Sequence, residues 1–93
     1  MNMQVLRVAG DSNINIISEK AIEYIISDGI LHMDCIGVKA TYSAVKAIIQ
    51  IIECLLDKGY KFNLRPYYTK VEVCNNANNV IKTAIRWTII AKK

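Results

Sequence analysis

The chain has 93 residues, a formal net charge of +4 and a pI near 9.1. With 53% hydrophobic and 22% charged residues it lies outside the composition of disordered chains, and its length holds one core, so a single domain over residues 1–93 is expected. It has no apolar run of the roughly eighteen residues that a membrane-spanning helix needs. Its three cysteines, Cys35, Cys54 and Cys74, are odd in number and widely spaced, which argues against a disulfide framework.

In chain order, residues 3–9 (MQVLRVA) are rich in β-formers and end at Gly10-Asp11-Ser12-Asn13, which predicts a strand and a loop. Residues 15–28 place Ile17, Ala21, Ile22, Ile25 and Ile26 at helical spacing, with Asn15 as the expected N-cap and Gly29 as the left-handed stop. The short apolar run 31–36 predicts a buried strand. A long helix is predicted over 39–58. Its polar residues Lys39, Ser43, Lys46, Gln50, Glu53 and Asp57 form a narrow stripe, and the apolar remainder is wider than one sheet face can cover. Gly59 closes it.

Residues 60–73 read as an edge strand, because Pro66 cannot donate to a ladder. Phe62, Leu64, Pro66 and Tyr68 share one parity while Val71 and Val73 take the other, which predicts a bulge or bend near residues 68–70. The cluster CNNANN at 74–79 predicts a hairpin loop. Residues 80–91 then return with Ile81, Ile85, Trp87 and Ile89 toward the core and Lys82, Arg86 and Thr88 toward water. The order βαβαββ gives an α+β, two-layer domain: a four-stranded mixed sheet with two helices on one face.

Little in the chain points to catalysis. The lone His32 shares a strand face with Asp34 but has no third partner to act upon, the cysteines lack metal-site spacing, and there is no glycine-rich phosphate loop. A non-enzymatic protein without metal, cofactor or small-molecule substrate is expected. The basic residues carry more. Lys39, Ser43 and Lys46 lie near the start of the long helix, Arg65 and Lys70 flank Tyr67 on the edge strand, and Lys82 and Arg86 line the return strand. Cations interleaved with an aromatic suit DNA or RNA, with phosphate contacts supplying affinity and tyrosine stacking on a base. The apolar flank of the long helix, with Tyr42, Ile49, Ile52 and Leu56, predicts a homodimer. The alternative is a protein-interaction adaptor that uses this flank and has no direct nucleic-acid role. With no signal-like N-terminal segment, a cytoplasmic setting is expected.

The succession LRVAGDSN, CIGVKATYSAVKAI, RPYYTKVEV and TAIRWTI resembles the stage V sporulation protein S family over nearly the whole chain. That family is similar in fold to Alba, the small dimeric chromatin- and RNA-binding proteins. The resemblance implies sheet order 1-2-4-3, a projecting hairpin made by the last two strands, and nucleic-acid binding by a symmetric dimer. It also implies that the loop at Gly37-Val38-Lys39 and the helix start lie over the phosphates. Two departures are visible. Gly10-Asp11 stands where related proteins often carry lysine, and Lys39 adds a charge where the family usually has a small residue.

Overall fold

Alternation and helical periodicity resolve into six elements in a computed structural model that describes residues 4–93. They are β1 (Val5–Val8), α1 (Ile14–Asp28), β2 (Ile30–Cys35), α2 (Val38–Asp57), β3 (Lys61–Asn75) and β4 (Asn78–Lys92). The predicted start of the first strand at Met3 falls outside the described residues. The sheet order is β1-β2-β4-β3, with β1 parallel to β2 and the other pairs antiparallel. This α+β arrangement has the βαβαββ order and the strand order that the resemblance implied.

Both helices cover one face of the sheet. Leu31, Met33 and Cys35 of β2, with Ile89 and Ala91 of β4, meet Ala21 and Ile25 of α1 and Ala40, Ala44, Ile48, Ile51 and Leu55 of α2. Small alanines at 40, 44 and 47 let α2 approach closely. The side chain of Ser18 reaches across from α1 to the Ala47 carbonyl at 3.4 Å. The N-cap of α1 is Asn13 rather than Asn15: its Oδ1 accepts from the Asn15 and Ile16 amides at 3.0 and 3.2 Å. An Asx cap must precede the amides it satisfies, so the helix begins one residue before the predicted start. Gly29, at φ 79°, closes α1 as expected.

Of the expected bulge or bend, the bulge is absent. β3 and β4 pair without a break from Lys61↔Lys92 to Asn75↔Asn78. What changes along the ribbon is which face is covered. Phe62 and Leu64 pack toward the helices. Farther out, Val71 on the opposite face lines a cavity of about 240 Å3 with Arg7, Val8, Ala9, Asp34 and Ile36. Two-stranded ribbons twist strongly, so a long hairpin turns its other face inward beyond the helix layer. The hairpin loop is also shorter than predicted. Only Asn76 and Ala77 lie between the strands, at φ 47° and 68°, the two positive values a primed two-residue turn requires.

Candidate nucleic-acid interface

Strand register divides the sheet into a helix-covered face and an open one. On the open face His32 pairs with Thr88 and Asp34 with Arg86, while Arg7 stands beside Asp34. Continuing the alternation along β3 and β4 adds Lys61, Arg65, Tyr67, Lys82 and Lys92 to this face. Six basic residues thus share the open face with a single carboxylate, Asp34, and the other seven acidic residues of the chain lie elsewhere. The whole net positive charge of the protein is therefore gathered on one side of the sheet.

The lone carboxylate is already engaged. Arg86 donates from Nε to Asp34 Oδ1 at 2.6 Å and from Nη2 to Oδ2 at 2.8 Å, a bidentate pair across β2 and β4. Asp34 is buried and Arg86 retains a little water, and the hydrogen bonds it donates to Asp34 hold the guanidinium above its ordinary value. Arg86, predicted to be a wet phosphate contact, is instead a bound counter-ion. Thr88, also predicted wet, is buried in a polar chain. His32 Nδ1 stands 2.8 Å from Thr88 Oγ1, which donates to the Tyr67 hydroxyl at 3.0 Å.

His32 is 6% exposed, and its Nε2 has no hydrogen-bond partner. Burial first, then the Arg86 charge, hold its pKa below the ordinary 6.5, against an upward pull from Asp34. The unfolded chain therefore takes up a proton that the folded imidazole resists, so stability falls as pH drops through about 6.5. The thermal midpoint is expected to be lower at pH 5.5 than at pH 7.5, and His32→Gln, which has no titrating ring, should flatten that difference in a pH series of melts. The Cys35 thiol is pushed up by burial and lies 3.4 Å from the Ile85 carbonyl, the contact of a packed, protonated sulfhydryl.

The structure splits the remaining predicted site residues. Arg65 and Lys82 are exposed on the open face, with Tyr67 43% exposed between them. Lys70, predicted alongside Tyr67, points from the opposite face of the hairpin and donates to Thr83 Oγ1 at 2.7 Å. Lys39 and Lys46 are exposed on α2, in the helix layer, and Lys46 Nζ sits 4.5 Å over the Tyr42 ring. Ser43 is not on a wet stripe. It is buried and donates to the Gly10 carbonyl at 3.2 Å, tying the loop before Asp11 to the helix. Gly10 is needed there, since a Cβ would stand 2.7 Å from Lys39 Cβ.

Sequence reasoning passed over Arg7, Lys61 and Lys92 as site residues. The signal was strand parity: each shares the alternation of Arg65 and Lys82 once register is known. Lys61 and Lys92 are direct cross-strand partners, a like-charge pair that costs stability and that a bound phosphate would relieve.

A second surface lies on the helix side. Val38, Tyr42, Val45, Ile49 and Leu56 are exposed at alternating four- and three-residue steps, the spacing of a helix-pairing seam. Ile52 falls in the same series but is only partly exposed, because it packs into the core. Val45 also lies in the seam. Ile81, predicted to face the core, is 70% exposed because the hairpin carries it past the helices. Tyr68, 77% exposed, joins Val38, Tyr42, Val45 and Ile85 around an apolar groove of about 610 Å3. Among the described residues no helix is long and apolar enough to cross a membrane, and no cluster of His, Cys, Asp and Glu is arranged to hold a metal ion.

Comparison with known proteins agrees with the motif order read from the sequence. No individually curated protein matches the chain. The family model of stage V sporulation protein S matches residues 4–92, nearly the full length. The chain therefore belongs to the stage V sporulation protein S family of sporulation-related regulatory proteins.

Proposed function

We propose that this protein is a non-enzymatic nucleic-acid-binding regulator of the cytoplasm that contacts phosphates through the open face of its sheet. The observation that carries this reading is the gathering of Arg7, Lys61, Arg65, Lys82 and Lys92 on one sheet face, whose single carboxylate Arg86 already neutralises. Phosphate contacts of this kind release counter-ions, so affinity is strongly salt-dependent and largely independent of sequence. Lys39 and Lys46 stand on another surface and supply a separate, secondary contribution.

Binding of a labelled oligonucleotide, followed by anisotropy between 50 and 200 mM salt, tests the reading. The triple variant Lys61→Ala, Arg65→Ala, Lys92→Ala is expected to weaken binding and to lower the slope of log K against log salt by about two to three. Lys39→Ala with Lys46→Ala should have the smaller effect. Binding that ignores salt, or that survives the triple variant unchanged, refutes this assignment.

The same reading includes a symmetric dimer formed through the α2 seam and the adjoining groove, which leaves both open faces free. An antiparallel pairing about a two-fold axis near the middle of the seam brings Lys39 of one copy toward Glu53 of the other. These flanking charges are complementary, which a parallel pairing would not achieve. Tyr68 and Ile81 extend the apolar contact beyond the helix.

A further inference from the structure

The open face is not uniformly flat. A cavity of about 600 Å3 is lined by His32, Leu64, Arg65, Pro66, Tyr67, Thr88 and Ile90. A second cavity of about 490 Å3, which includes Lys61, Asn63 and Lys92, shares Ile90 with it. Together they make one trough along β3 and β4. The lining of the first cavity goes beyond phosphate-binding groups.

Its lining includes Ile90 and the Tyr67 ring, whose hydroxyl is held by Thr88. This fixes the aromatic plane without burying it. Its lining also includes the buried imidazole of His32. His32 Nδ1 stands 2.8 Å from Thr88 Oγ1, and its Nε2 is buried with no hydrogen-bond partner. Arg65 provides a cation at the rim, and Lys61 stands four residues away on the same face, about 13 Å along the strand. An aromatic wall and a flanking cation match a planar heterocycle joined to a phosphate. They do not match a bare anion, which would have no use for the aromatic wall.

Resting on the nucleic-acid reading above, we propose that this cavity receives one unpaired nucleobase stacked on Tyr67, with the adjacent phosphates along Arg65 and Lys61. The preferred ligand is then single-stranded nucleic acid. A base held in a duplex is stacked on both sides and paired at its edge, so it cannot enter. Pro66, at the outer edge of the trough, has no N–H and keeps that edge from pairing with an added strand.

The test compares four probes of matched length: single-stranded DNA, the RNA of the same sequence, the DNA duplex, and a single strand with its central bases replaced by abasic sites. Tyr67→Ala is expected to weaken both single strands about 10- to 100-fold, the usual effect of losing one stacked base, and to leave duplex affinity within about twofold. Tyr67→Phe should keep most of the single-strand affinity, and Tyr67→Leu should lose it despite its bulk. The wild-type protein should lose affinity for the abasic strand by a similar factor, a result that does not depend on any variant folding.

The DNA and RNA arms show which polymer supplies the base. Equal losses on strand and duplex, or full affinity for the abasic strand, overturn the base pocket. The phosphate reading then stands if the triple variant still binds more weakly and with a lower salt slope. A wild-type protein that binds none of the four probes overturns both.

Discussion

Asp34→Ala is expected to lower stability by about 3 kcal/mol and the thermal midpoint by about 12 to 24 °C, the largest single effect of any open-face substitution. The reason is asymmetry. Asp34 is 4% exposed, and its two oxygens take two donors from Arg86. Removing it strands a guanidinium that the fold holds among His32, Thr88 and Tyr67, with little water to replace the lost partner. The lower end of the range for broken buried pairs applies, because the Arg86 side chain keeps 21% exposure. The double variant Asp34→Leu, Arg86→Leu should recover most of the loss, since apolar residues of suitable volume replace buried pairs at little cost. Thermal melts of the three proteins decide the point. A double variant no more stable than Asp34→Ala would mean that the pair contributes more than mutual neutralisation.

Ile49→Asp is expected to weaken self-association at least about 100-fold while leaving the fold intact. Each copy in a two-fold dimer loses the burial of one isoleucine and gains a charge facing its own symmetry mate, so the penalty counts twice. Sedimentation equilibrium across a concentration range measures it. The position is informative because Ile49 is 52% exposed whereas Ile51, two residues on, is fully buried. Ile51→Asp should unfold the domain, and Ile49→Asp should only dissociate it. A wild-type protein that sediments as a monomer throughout would overturn the dimer and favour an adaptor that presents the same seam to a different partner.

The two surfaces divide the work along the faces of the sheet. The helix side carries the apolar seam of α2 and the groove it shares with the hairpin, and the open side carries the charge. A long hairpin contributes to both, because alternate residues of one strand point to opposite faces. Tyr68 therefore serves the seam while its neighbour Tyr67 lines the cavity.

Much of this is local in origin and was legible in the residues. Periodicity identified all six elements, Gly29 marked the end of α1, and Pro66 placed β3 at an edge. These features depend on neighbours a few residues away. The contradictory parity of Val71 was also a true signal, although its cause was a twisting ribbon rather than an inserted residue.

What the tertiary structure alone decided are matters of pairing across long separations. Alternation tells that Lys82 and Arg86 share a face, but not that Asp34, 52 residues earlier in the chain, meets one of them and not the other. Helical spacing puts Ser43 in line with Lys39 and Lys46, yet the Gly10 loop folds over it and takes its hydrogen bond. The sequence by itself determined which residues are basic and which elements carry them. Only strand register, a product of non-local hydrogen bonding, gathered Arg7, Lys61, Arg65 and Lys92 onto one face, because a one-residue slip would send each side chain to the other.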